Sequence, residues 1–200
     1  MNSETGGRIP DLLFYGVFMA GTQPDAIALL KADHRKVEAL FDQFESASGN
    51  EKKRRLAKEI CTELTVHSLI EEEIFYPACQ GKVEEDLLAE ALVEHDGAKI
   101  LIAEIEDGSP SDEFYDAKLK VLSEQITHHV EEEEKPSKGT FSQARASGLD
   151  MDDLGARLRA RKKELMADFK SEGLPAPETR TFTGHDVEQG APIDKAVEKT

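Results

Sequence analysis

The stretch Leu64-Thr65-Val66-His67-Ser68-Leu69-Ile70-Glu71-Glu72-Glu73-Ile74-Phe75-Tyr76 decides the fold. Leu64, His67, Glu71 and Ile74 fall three or four residues apart, so they share one face of a helix. Upstream, Leu56 and Ile60 continue the same stripe. The stripe is apolar except for one imidazole and one carboxylate, which are costly to bury unless something pairs with them. A bound metal ion is the simplest partner.

The pattern recurs on both sides of this stretch. From near Asp25, with Thr22 and Pro24 as start signals, Ile27, Leu30, His34, Val37, Phe41 and Phe44 form one stripe. Ser46-Ala47-Ser48-Gly49-Asn50 ends that helix, and a second runs over about 51–76 until Pro77 and Cys79-Gln80-Gly81 stop it. A third, over about 84–106, carries Leu88, Leu92, His95, Ile102 and Ile105. After the turn Asp107-Gly108-Ser109-Pro110, a fourth over about 111–134 carries Tyr115, Leu119, Leu122, Ile126, His129 and Glu133. His129 and Glu133 repeat the spacing of His67 and Glu71. His128 and Glu132 share that spacing, but their stripe holds Lys118, Val121 and Gln125, so periodicity selects His129 as the inward residue. Four amphipathic helices with short connections predict an all-α fold, an antiparallel up-down four-helix bundle over residues 25–135.

Residues 1–24 mix Gly, Pro and a short apolar patch, and read as a flexible N-terminal arm. Residues 136–171 read as a Gly/Ser-containing linker and a fifth helix over about 151–170, capped by Asp150, with Leu154, Leu158, Leu165 and Phe169 on its apolar face. That face is expected either to cover the bundle or to join two copies as a homodimer. The basic cluster Arg157, Arg159, Arg161, Lys162 and Lys163 reads as a solvated face, with attraction of an acidic partner as the alternative. Residues 172–200 hold several Pro and Gly and almost no large apolar groups, and are expected to form a disordered tail.

A shared site also needs a shared level along the bundle. His34 lies 9 residues after Asp25, His67 lies 9 before Tyr76, and His95 lies 11 after Glu84. In an up-down bundle the start of one helix sits beside the end of its neighbour, so these three fall within about half a turn of each other. His129, 5 residues before Glu134, is offset by about a turn.

Imidazole and carboxylate without thiolate suit iron, manganese or zinc. Four histidines and two glutamates exceed what one tetrahedral zinc takes. Two irons bridged by the two carboxylates would use all six and leave positions open for a small ligand. The ferritin-type site needs Glu-x-x-His, and the residues three before each histidine here are Lys31, Leu64, Leu92 and Ile126.

The segments Asp33-His34-Arg35-Lys36-Val37, His67-Ser68-Leu69-Ile70-Glu71-Glu72, Glu94-His95 and His129-Val130-Glu131-Glu132-Glu133 resemble, in order and spacing, the hemerythrin-like, HHE cation-binding family. The resemblance covers about residues 25–135. It implies a non-heme di-iron centre, the two irons oxo- or hydroxo-bridged, with His34, His67, Glu71, His95, His129 and Glu133 as ligands. It further implies a protein that binds or senses O2, NO, peroxide or iron itself; the alternative is an enzyme that decomposes hydrogen peroxide or reactive nitrogen species.

Invertebrate oxygen-carrying hemerythrins have a further histidine one turn after the third-helix histidine, where this chain has Lys99, so a stable oxygen carrier is disfavoured. Water, or Glu38 one turn after His34, is the candidate replacement. Pro136 follows Glu133 by three residues, so that ligand is expected in a last turn prone to fray. Tyr76, Tyr115 and Lys99 are the candidate proton donors.

Among the 200 residues, 41 are acidic and 25 basic, a formal net charge of −16. That balance argues against a nucleic-acid binder, which needs Lys and Arg to displace counterions, and against anionic membrane surfaces. The apolar run Leu12 to Ala20 is broken by Gly16, is too short to span a bilayer and lacks the basic flank of a secretory signal. A cytoplasmic protein is therefore expected, with no membrane and no nucleic-acid partner. Cys61 and Cys79, most of a helix apart, are expected to remain reduced. No Gly-rich phosphate loop or Ser/Cys nucleophile constellation is present in the sequence.

Overall fold

The Asp25 carboxylate accepts a hydrogen bond from the Ala28 N–H at 2.9 Å and so opens α1, Ala26–Glu45, in the computed structural model, which describes residues 23–182 and 184. α2 follows at Asn50–Ile70. A π-helical turn, Glu71–Phe75, leads into a short α3, Tyr76–Cys79. α4 spans Glu85–Glu106 and α5 spans Tyr115–Glu134. α1 packs on α2, α2 on α4, α4 on α5, and α5 back on α1, which closes the four-helix bundle. The short connections hold sequence neighbours antiparallel.

The apolar stripes meet in two cores rather than one. The first gathers Leu30, Val66, Ile70, Phe75, Leu88 and the later Phe141 and Leu158. The second gathers Val37, Leu40, Ile60, Leu64, Ala98, Ile102, Leu119 and Leu122. Along α1, His34 lies between Leu30 of one core and Val37 of the other; along α2, His67 lies between Leu64 and Ile70. The histidines therefore form a polar layer sealed above and below by apolar side chains.

Pro77 does not stop the second helix. Its ring removes a backbone donor and crowds the carbonyl four residues earlier, and the chain relieves this by widening into the π turn and continuing to Cys79. α5 begins at Tyr115 rather than near 111, because Asp112 first closes a turn, accepting from the Ser109 N–H at 2.7 Å. The linker contains an unforeseen helix, α6, Thr140–Ala146, which packs on α5. Gly139 precedes it with its Cα against the end of α5: a Cβ there would lie 2.4 Å from the Glu133 carbonyl oxygen and 2.5 Å from that of Glu132. Only glycine permits this approach. The turn that the sequence marked as prone to fray is thus covered, and Glu133 is buried.

Asp150 caps α7, Met151–Glu172. Its residues Leu154, Leu158 and Leu165 are buried against the bundle, where α7 packs on α1, α2 and the π turn. Gly155 lets it approach α1, since a Cβ would lie 2.8 Å from the Ala26 nitrogen. The apolar face therefore covers the chain's own bundle. Much of the basic cluster is spent there too: Arg159 donates to the Pro24 carbonyl, Arg161 pairs with Glu73 at 2.6 Å, and Lys162 pairs with Asp33 at 2.5 Å.

Beyond α7, residues 173–182 have no regular secondary structure. They are nonetheless anchored. Asp96 Oδ2 accepts from the backbone N–H groups of Arg180 and Thr181, each at 2.7 Å, and from the Thr181 hydroxyl at 2.8 Å. Leu174 packs against the second core. The expected N-terminal arm falls almost wholly outside the described residues, as does the rest of the tail with His185. Cys61 and Cys79 are buried free thiols. Among the described residues, no helix is long and apolar enough to cross a membrane.

Candidate metal centre

Each of the four bundle helices delivers one histidine to the polar layer, and His34, His67, His95 and His129 are all at most 5% exposed. Their Nε2 atoms converge in two pairs: His34 and His67 at 3.1 Å, His95 and His129 at 3.3 Å. Glu71 and Glu133 span the pairs. Glu71 Oε2 lies 3.2 Å from His67 Nε2 and 3.4 Å from His95 Nε2. Glu133 Oε2 lies 3.4 Å from His34 Nε2 and 3.6 Å from His129 Nε2. All six residues singled out from the sequence thus stand in one cluster.

The other side of each ring faces a second carboxylate. His34 Nδ1 is 2.8 Å from Glu134, His95 Nδ1 is 3.1 Å from Glu72, His129 Nδ1 is 2.7 Å from Glu94, and His67 Nδ1 is 3.6 Å from Asp33. Every one of these acids comes from a neighbouring helix or turn, so the set runs as a cycle around the bundle: α1 serves α2, the π turn serves α4, α4 serves α5, and α5 serves α1. Glu72, in the acidic run that follows Glu71, is 6% exposed. A signal was present: each outer acid stands beside an inner residue in sequence, Asp33 before His34, Glu72 after Glu71, Glu94 before His95 and Glu134 after Glu133.

This arrangement fixes the chemistry of the inner face. A ring that donates through Nδ1 to a carboxylate presents a lone pair at Nε2. His95 and His129 both do so, and two such lone pairs at 3.3 Å repel unless a cation lies between or beside them. Glu71 Oε1 and Glu133 Oε2 are also buried with no hydrogen-bond partner, a condition rare for satisfied protein cores. The donor set fits two cations, one near His34 and His67 and one near His95 and His129, with Glu71 and Glu133 reaching both.

Protonation shows the same crowding. Burial and the charge of Glu133 push the Glu71 carboxyl well up, whereas at Glu133 burial is outweighed by His129 and His34, which hold it down. For His34, burial works downward, but hydrogen bonds to Glu133 and Glu134 raise it to about 9. Burial, together with Glu133 and Glu71, keeps the Tyr76 phenol well above its ordinary value. Its O–H donates to Glu133 Oε1 at 3.0 Å and lies 3.4 Å from His95 Nε2.

Other candidates lie elsewhere. Glu38 is half-buried and paired with Arg35, Tyr115 packs against Phe44 in the second core, and His128 is exposed beside Glu94. Lys99 sits in the outer layer, 2.8 Å from Glu72 and 3.1 Å from Asp96.

The hemerythrin HHE cation-binding domain matches residues 25–136, and the chain belongs to that family. It is 28% identical over 106 residues to a DNA nickase from Nostoc sp. (strain PCC 7120), a match that covers 53% of this chain and 30% of the nickase. The crystal structure of a hemerythrin HHE cation-binding domain-containing protein from Mycobacterium kansasii shares the fold, with a TM-score of 0.62 at 20% identity, over 76% of this chain and 95% of that one. The His/Glu clusters described above fit the metal site that this domain implies.

Proposed function

We propose that the chain is a non-heme di-iron protein that binds or senses an oxygen-related small molecule (O2, NO or peroxide) or iron itself. His34, His67, Glu71, His95, His129 and Glu133 would hold the irons, which supply Lewis acidity and one-electron redox chemistry when bound. The observation that carries this reading is the pair of facing Nε2 contacts, at 3.1 and 3.3 Å, spanned by two buried carboxylates that each keep one oxygen without a hydrogen-bond partner. Iron is favoured over zinc because the donor set serves two ions with mixed nitrogen and oxygen ligands. The cavity that the four imidazoles line together with Leu64, Ile126 and Val130 has a volume of about 10 Å³, which leaves no room for a large ligand. A net charge of −16 supports a small-molecule role over nucleic-acid binding for this chain.

The chain's own residues shape what such a ligand meets. Glu134, Glu72 and Glu94 accept from Nδ1 of His34, His95 and His129 and orient those rings, and Asp33 faces Nδ1 of His67. The two apolar cores exclude water. Tyr76, kept neutral, offers a phenolic proton beside Glu133 and His95. That donor favours a second reading, an enzyme that decomposes peroxide or reactive nitrogen species, because such turnover needs a positioned proton source.

Mixing the iron-loaded chain with peroxide and with NO separates the two. Stoichiometric spectral change without sustained oxygen release supports binding or sensing. Oxygen release over many turnovers, reduced at least tenfold in Tyr76→Phe, supports the enzyme. No spectral response to either reagent, nor of the reduced chain to O2, would leave iron itself as the ligand sensed and contradict both the enzyme and the binding of an oxygen-related molecule.

A further inference from the structure

The four outer carboxylates differ in what holds them. Glu134 is paired with Lys31 at 3.1 Å and Arg35 at 2.8 Å, both from within the bundle, and Glu72 with Lys99 of the bundle at 2.8 Å and, more loosely, with Arg180 of the tail at 3.9 Å. Glu94 has His128 at 3.5 Å. Asp33 instead takes its cation from α7: Lys162 Nζ lies 2.5 Å from Oδ1. Lys162 stands outside the residues 25–136 that match the family. Lys162 also lies 3.6 Å from the buried Glu63, whose other oxygen accepts from Lys36 at 2.7 Å. The remaining Asp33 oxygen, Oδ2, and His67 Nδ1 are both buried without a hydrogen-bond partner and face each other at 3.6 Å. Lys162 therefore grips one oxygen of Asp33 and leaves the other aimed at the imidazole.

We infer that Lys162 is a positioning residue of the metal centre, fixing Asp33 against His67, so that the C-terminal helix is a working part of the centre as well as a cover for the bundle. This rests on the di-iron reading of the six inner residues. Partners of metal-ligating histidines set ring orientation and basicity, and their loss is felt at the metal. Removing the Lys162 charge leaves Asp33 free to turn away or to draw closer to His67. In either case one positive charge is lost from a partly buried ion pair beside the centre, which favours the oxidised and more positive state of the metals. Neutralising a surface pair on the same helix has no such effect. Arg161 supplies the control: it is one residue away and pairs with Glu73, which is not among the carboxylates that face the four imidazoles.

The test uses the full chain loaded with iron, in wild-type form and as Lys162→Met, Lys162→Arg and Arg161→Met. Thermal midpoint and iron content are read alongside the reduction potential from a mediator titration. Lys162→Met is expected to lower the potential, raising the ferric-to-ferrous ratio several-fold at a fixed mediator poise. Lys162→Arg restores the wild-type potential. Arg161→Met reduces thermal stability without moving the potential. Equal potentials in wild type, Lys162→Met and Arg161→Met overturn the positioning role. If Lys162→Met does not fold, Lys162→Ser, polar but too short to reach Asp33, carries the same comparison. A wild-type chain that holds no stoichiometric iron refutes the di-iron reading itself; iron retained with unmoved potentials refutes only the role of Lys162.

Discussion

Phe141 comes from the short α6, and replacing it with alanine is a demanding test of how the site is closed. The ring is 2% exposed. It stacks on the His34 imidazole with centroids 5.6 Å apart and planes inclined by 11°, and meets Phe75 edge-on at 5.5 Å and 82°. Truncating a fully buried Phe to Ala costs about 3–5 kcal/mol, of which each ring contact accounts for roughly 0.5–1.5 kcal/mol beyond area. α6 has seven residues and is held otherwise by Thr140 and Ala144, so it can shift to fill part of the void, and about 3 kcal/mol is expected. Phe141→Leu keeps much of the volume and loses the stacking, so about 1–1.5 kcal/mol is expected. Urea denaturation of the metal-free chains measures both. In the loaded chains, Phe141→Ala should also shorten the half-life of metal loss to excess chelator, since water gains a path to His34. A stability loss below about 1 kcal/mol for Phe141→Ala would refute the packing of α6 over the centre.

Two pH effects follow from the same geometry. His34 is raised to about 9, so at pH 7 the metal-free imidazole binds a proton that a metal must displace. Anaerobic titration with Fe²⁺ in weakly buffered dye should release at least one proton per chain, and affinity should rise with pH up to about 9; proton-free binding would contradict this. At Asp96, burial works upward but is outweighed by the Thr181 and Arg180 N–H bonds, which lower the carboxyl to about 2. A depressed folded value means the contact stabilises the tail above the ordinary 3.8 and loses that effect as pH falls toward about 2. The backbone amide resonances of Arg180 and Thr181 should hold steady from pH 7 to 4 and shift only below. Titration at an ordinary carboxylate value would show that the tail is not anchored there.

Much of the inner site was legible because helical period converts directly into direction: the four histidines and the pairs His67/Glu71 and His129/Glu133 each interrupt an apolar stripe at a helical spacing. The choice of His129 over His128 came from the same period, and the structure places the first inside and the second outside. The outer acids were not legible in the same way. Asp33, Glu72, Glu94 and Glu134 each serve a histidine on another helix, so their role depends on which helices are neighbours and at what rotation. α6 is too short to show a period. The anchoring of the tail on Asp96 uses two backbone N–H groups, which every residue but proline carries, so no side-chain pattern announces it. The π turn at Glu71–Phe75 arises where Pro77 meets a helix that packing favours continuing, a conflict that the local rule resolves by stopping the helix and the fold resolves by widening it.

The central claim is a six-residue centre holding two irons, and metal content by elemental analysis after iron reconstitution and desalting tests it most directly. Two irons per chain are predicted for the wild type and for His128→Ala, with retention lost in His67→Ala. A single zinc per chain, or loss of iron in His128→Ala but not in His67→Ala, would contradict the account.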